Sequence, residues 1–315
     1  MRIQKYTLSC KIRTMQTRIN LGSLILFLFS SLGLNLFALG EESKIPQFKK
    51  VVLVLFENED FEKPLSQPFF TKLSKEGALL TNYHAVAHPS QPNYIALTSG
   101  DVHGVLDDEN HDLNVNHLGD LLDAKKKTWK NYAENYPGNC FLGVKQTRYV
   151  RKHTPFLSYT NVNKTDRCKN IVDSSQFETD VKNGTLPDFS FFTPNMDNDV
   201  HDTDIAYGEK WFKGYFGPLL KQPGFKDVLL IVTFDENECN TVGPYVTAKK
   251  IIACKGDTNR VYTVFYGNQV KAGSESATNY NHFSLLKTIE KGFGLGNLGA
   301  NDVQANTITG IWNFN

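Results

Sequence analysis

The chain reads as an α/β protein: a mostly parallel central sheet with helices on both faces. Two observations predict this class. Residues 50–56 and 227–234 are continuous, valine- and leucine-rich apolar runs bounded by charge, the pattern of strands buried on both faces of a parallel sheet. Shorter strand candidates at 188–193 and 261–266 are separated by helical patterns, and strand–helix alternation implies parallel strands joined by crossovers. The helices expected are 69–76, stopped by Gly77; 118–125; 205–220; and 282–291, stopped by Gly292. Residues 135–170, rich in Asn, Lys, Gly and Thr, read as a long surface insertion.

The N-terminus is a segment apart. Five basic residues without an acid precede an apolar run at 21–38, and Ala38-Leu39-Gly40 is a small-x-small site before Glu41. Residues 1–40 therefore read as a secretory signal peptide, with an uncleaved signal anchor as the alternative. The remainder, 41–315, is expected to be a single domain. Cleavage removes five of the 34 basic residues and none of the 33 acidic ones, leaving a mildly acidic protein. No basic block or aromatic–basic alternation suggests nucleic acid, and a cleaved signal implies no stable membrane partner. Four cysteines remain, Cys140, Cys168, Cys239 and Cys254. An even number in an exported chain suggests two disulfides. Of the three pairings, the local one, Cys140–Cys168 with Cys239–Cys254, closes short loops and is expected. Asn163 and Asn183 begin glycosylation sequons, consistent with a secreted location. The oligomeric state is not legible.

The chemistry starts at His88-Pro89-Ser90-Gln91-Pro92-Asn93-Tyr94. Pro92 fits the first position of a helix, which puts Ser90 at or just before a helix N-terminus, where free N–H groups and the dipole favour an anion. Ser90 is either a nucleophile or a helix cap. Both long strands then run into acids, Glu57-Asn58 and Asp235-Glu236. Ligands of an open parallel sheet bind outside the carboxyl ends of its strands, so these four oxygen-bearing side chains gather at one edge. Close carboxylates repel, and a divalent cation of the Ca, Mg or Mn class is the natural remedy. Acids that merely mark strand ends are the alternative. His201 and His282 are either candidates for hydrogen-bonding an anion or a leaving group, with Asp204 to orient His201, or ordinary surface or capping residues. His88 either orients Ser90 or packs. His84, His103, His111, His117 and His153 are read as structural.

Five motifs occur in one order: Glu57-Asn58; His88-Pro-Ser90-Gln-Pro-Asn93-Tyr94; Asn198-Asp-Val-His201-Asp202; Thr233-Phe-Asp235-Glu236-Asn237; and Asn281-His282 opening a helix. Together they resemble the phosphoesterase family that groups secreted acid phosphatases with non-specific phospholipases C. The resemblance implies an alkaline-phosphatase-like fold, a metal held by Glu57, Asn58, Asp235 and Glu236, and Ser90 as nucleophile. Asn93, His201 and His282 are the expected substrate-binding residues, with His201 and His282 also catalytic. Ser90 and Tyr94 depart from the Thr and Arg of the phospholipase branch, and the chain lacks that branch's long C-terminal domain. Both favour the acid phosphatase branch. The expectation is a secreted, metal-dependent hydrolase of phosphomonoesters acting through a phosphoserine. The alternatives are a phosphodiesterase acting on lipid headgroups and a catalytically silent binding protein.

Overall fold

A computed structural model describes residues 44–238 and 258–314, together with the backbone of two short strands, Tyr245–Val246 and Ile252–Ala253. The N-terminal 1–40 segment, Cys239 and Cys254 lie outside the described residues.

The centre is an eight-stranded sheet. In chain order its strands are β1 (Lys50–Phe56), β2 (Ala78–Leu80), β3 (Trp129–Ala133), β4 (Ile171–Asp173), β5 (Phe189–Thr193), β6 (Val228–Phe234), β7 (Thr263–Tyr266) and β8 (Ser274–Ser276). Across the sheet they run β8-β2-β7-β6-β1-β5-β3-β4. The block β6-β1-β5-β3-β4 is parallel throughout. β7 reverses the direction, pairing antiparallel with both β6 and β2. The two long apolar runs become neighbours at the centre: Lys50 to Phe56 pairs with Val228 to Phe234, residue for residue. Both are buried on both faces, as their unbroken hydrophobicity requires.

The helices used below are α1 (Pro68–Glu76), α2 (Ser90–Ser99), α3 (Leu118–Ala124), α4 (Ser175–Asn183), α5 (Ile205–Leu219) and α6 (His282–Gly292). Side chains alternate across a strand, so aromatic contacts tell which face each helix covers. Phe56 meets Phe70 of α1 and Phe212 of α5, and Phe192 meets Phe177 of α4 and Phe216 of α5. Phe191, one residue out of step, meets Tyr94 of α2 on the other face. α1 ends at Gly77, where a Cβ would come within 2.2 Å of the Phe265 carbonyl oxygen. Only glycine allows β7 to approach so closely.

The expected helices are present, each with one end moved by a single residue. β3, β4 and α4 carry weaker patterns and go beyond the elements expected from sequence. The expectation for 135–170 is corrected. The Cys140–Cys168 bridge is present, but Phe156, Leu157, Tyr159 and Val162 are fully buried in the main core. This segment is part of the domain interior, and Arg151-Lys152-His153 carries it past the carboxyl edge of the sheet. Among the described residues, no helix is long and apolar enough to cross a membrane.

Candidate active site

The carboxyl ends of β1, β5 and β6 and the N-terminus of α2 converge. Glu57 follows β1, Asp235 and Glu236 follow β6, Asp199 lies in the loop after β5, and Ser90 opens α2. All five are buried. Ser90 does not cap its helix. Its Oγ donates to Glu57 Oε2 at 2.8 Å and lies 3.2 Å from Glu236 Oε1. The other Glu57 oxygen accepts from Tyr94 Oη at 2.6 Å and lies 3.0 Å from His153 Nε2. His153 Nδ1 is 3.1 Å from Asp199 Oδ2, and the imidazole stacks on Tyr94 with ring centroids 5.0 Å apart. Glu236 pairs with His88 Nδ1, so His88 acts on the acid beside the serine. Asp235 Oδ1 accepts the backbone N–H groups of Asn58 and Glu236 at 3.1 and 2.7 Å. Asn58 itself has φ +46°, a conformation Asn tolerates better than most residues.

Burial dominates the electrostatics. It pushes the carboxyl pKa values of Asp199 and Asp235 well up, with Glu57 adding to both. Burial also raises Glu236, against the opposing pull of His88. His153 is driven well below the usual imidazole range by burial, then by Lys152 and His201, although two carboxyl groups flank it. Lys152 behaves differently. Burial works against its charge, but Glu57, Asp108 and Asp235 outweigh that and raise its pKa.

The donor set suits a divalent cation. Asp235 Oδ2 is a buried carboxylate oxygen without a hydrogen-bond partner, and Asp199 Oδ2 and Glu236 Oε2 also lack hydrogen bonds of good geometry. Unpaired buried carboxylate oxygens are costly, and oxygen donors favour hard cations. Among the described residues no group of three or more His, Cys, Asp or Glu side chains stands ready in metal-binding geometry.

The other expected site residues divide. Asn93 lies close by, but its side chain is occupied by its own loop: Oδ1 accepts from Val86 and Ala87, and Nδ2 donates to the Ala87 carbonyl. His282 is buried with both nitrogens engaged, Nδ1 with Tyr83 Oη at 2.9 Å and Nε2 with the Asp235 carbonyl at 2.7 Å. It positions the β6 end from behind. His201 is 30 % exposed and stands 6.1 Å, ring to ring, from His153. Asp202 orients it through Nδ1 at 2.8 Å. Asp204, expected in that role, instead caps α5 by accepting from Tyr207 N–H. His153, Asp199 and Lys152 are site residues that the sequence did not single out. Asp199 lies inside one of the five motifs. His153 carries no signal, because its segment reads as surface. Of the two sequons, Asn163 is buried and its amide donates to Asp112 and the Leu157 carbonyl, so no glycan fits there in the folded protein. Asn183 is exposed at the end of α4.

The Phosphoesterase family profile matches residues 62–296, and the chain belongs to that family. A probable acid phosphatase from Kluyveromyces lactis is 36 % identical over 275 residues, 83 % of this chain and 62 % of that protein. A phosphatidylinositol-3-phosphatase from Mycobacterium tuberculosis is 32 % identical over 278 residues, covering 86 % of this chain and 85 % of that protein. The chain thus spans about three fifths of the fungal acid phosphatase it matches. The fold is that of a protein in the alkaline phosphatase superfamily from Vibrio parahaemolyticus, with a TM-score of 0.57 at 13 % identity, covering 82 % of this chain and 71 % of that one.

Proposed function

We propose that this chain hydrolyses phosphomonoesters through a covalent phosphoserine at Ser90. One observation carries the reading: a buried serine hydroxyl at a helix N-terminus, within hydrogen-bond distance of two carboxylates from different strands. A hydroxyl is a weak nucleophile at its free pKa and needs a partner to take its proton. Glu57 and Glu236 are both within reach. The Ser90 oxygen attacks phosphorus as the bond to the leaving oxygen breaks, and water then releases phosphate and regenerates the hydroxyl. His201, the most exposed histidine of the site, donates a proton to the leaving oxygen. Tyr94, on which His153 stacks, fixes Glu57, and His88 fixes Glu236. A divalent cation held by Glu57, Asp235 and Glu236, with Asn58 beside them, would lower the hydroxyl pKa and neutralise phosphoryl charge. Similarity to acid phosphatases and to a phosphatidylinositol-3-phosphatase supports a monoester substrate, water-soluble or lipid-borne. Export through the 1–40 segment, with glycan at Asn183 and none at Asn163, completes the reading. Mass spectrometry of exported protein checks it, and a glycan on Asn163 would contradict the burial of that side chain.

The decisive experiment is Ser90→Ala. Turnover of a phosphate monoester should fall by roughly a thousandfold or more, with thermal unfolding unchanged. A variant keeping more than about a tenth of the activity would remove Ser90 from the chemistry. Trapping labelled phosphate on Ser90 at low pH would establish the covalent step.

A further inference from the structure

Ser90 is only 2 % exposed, so a phosphoryl group reaching it must displace something. The geometry identifies what. Asp108 Oδ1 accepts the Gln91 backbone N–H at 3.0 Å, the amide next to the proposed nucleophile in the first turn of α2. Asp108 Oδ2 accepts from Lys152 Nζ at 2.8 Å. The Asp108 side chain is 34 % exposed and that of Lys152 is 15 % exposed. The acid is therefore the outer member of the pair and the ammonium the inner one. A helix-start amide and a sheltered ammonium aimed at two oxygens of one anion form the donor pair that a phosphoryl group takes.

We propose that Asp108 is a resident stand-in for the substrate's phosphoryl group, and that Lys152 is a catalytic residue. In the resting protein the Asp108 carboxylate holds the Gln91 amide and the Lys152 ammonium in position. When substrate arrives, two phosphoryl oxygens take over both donors and Asp108 swings outward into solvent. This rests on Ser90 being the nucleophile. Lys152 has a second reason to be there. Its charge reaches Glu57, Asp235 and Asp199, so it offsets the repulsion that a phosphate dianion would meet among buried carboxylates. The flanking chain allows the movement, since Asp107, Glu109 and Asn110 are exposed. The competing role for Asp108 is a fixed brace that keeps Lys152 oriented throughout the reaction. The two roles give opposite signs when the carboxylate is removed.

The test is calorimetric titration of inorganic phosphate into the full chain carrying Ser90→Ala, which binds without turnover. It is repeated with Lys152→Gln, Lys152→Arg or Asp108→Ala added. Losing a charge-assisted contact should weaken phosphate binding about 30-fold in Lys152→Gln, and Lys152→Arg should recover most of it. Asp108→Ala should bind phosphate about three- to tenfold more tightly, because the internal competitor is gone. Unchanged binding in Lys152→Gln, weaker binding in Asp108→Ala, or no phosphate binding by the Ser90→Ala chain would overturn the proposal. If Ser90→Ala alone keeps its turnover, the reading of the nucleophile fails. If that variant is inert but Asp108→Ala weakens binding, only the stand-in fails. Thermal unfolding of each variant separates lost binding from lost fold.

Discussion

Two of the places where the protein buries acids differ in kind. At the strand edge, Glu57, Asp199, Asp235 and Glu236 arrive from three strand ends and meet a serine, a tyrosine and two histidines. On α6, Glu290 is buried near Asp302. There Asp302 is saturated by the Leu298 and Ala300 amides, at 2.7 and 2.8 Å. Lys287 gives its ammonium to the Val303 and Ala305 carbonyls. Glu290 Oε1 has no hydrogen-bond partner. Burial raises carboxyl pKa values in both places, so a perturbed acid alone does not mark a site. Convergence marks it. The strand-edge acids come from three strand ends and surround a hydroxyl, whereas Glu290 and Asp302 sit on two consecutive helices, α6 and Asn301–Gln304.

Substituting Asp235 is the strongest way to break this comparison. Asp235→Asn keeps the shape and both backbone hydrogen bonds but removes a buried charge. Activity on a phosphate monoester should fall by about a hundredfold or more, the scale of losing a group that organises transition-state charge. Stability should hold or rise, because the repulsion with Glu57 goes. Steady-state kinetics and urea unfolding on one preparation measure both, and bound-metal analysis beside chelator-treated wild type tests the cation. Near-normal activity would make Asp235 a second Glu290, a buried acid with no part in catalysis.

The same contrast explains what the sequence made legible. β1 and β6 stand out because a strand buried on both faces has no choice but to be apolar throughout. Their acids stand out because polarity returns abruptly where the sheet ends. Ser90 is visible through the prolines that frame it. His153 is not, since its position depends on a chain segment that folds inward through contacts distant in sequence, among them the Tyr94 ring. Asn93 and His282 illustrate the opposite error. Both lie near the site as expected, but Asn93 serves the backbone of its own loop and His282 braces Tyr83 and the Asp235 carbonyl, and no pattern in the chain separates such uses from ligand binding. β7 is recognisable as a strand, yet its antiparallel direction is set by pairing and not by composition.

Glu290→Gln sharpens the comparison from the other side, with a smaller effect and none on activity. Burial, then Asp302, lifts the Glu290 pKa from 4.5 to about 9, against the pull of Lys287. A folded-state pKa above the unfolded one means that the folded state binds the proton more tightly. The stability it contributes is full below pH 4.5 and is lost as pH rises toward 9. Near pH 7.5, about three units above the unfolded value, the ceiling on that loss is about 4 kcal/mol. Glutamine fills the same space and carries no charge at any pH. It brings a buried amide with its own unmet hydrogen bonds, which offsets part of the gain. The variant should therefore match or fall slightly below wild type at pH 4, and exceed it by about 1–2 kcal/mol at pH 8. Urea unfolding at the two pH values reads the difference directly. A gap that stays flat between pH 4 and 8 would mean that Glu290 ionises as freely in the folded chain as in the unfolded one. The distinction between its burial and that of the strand-edge acids would then have to be drawn on other grounds.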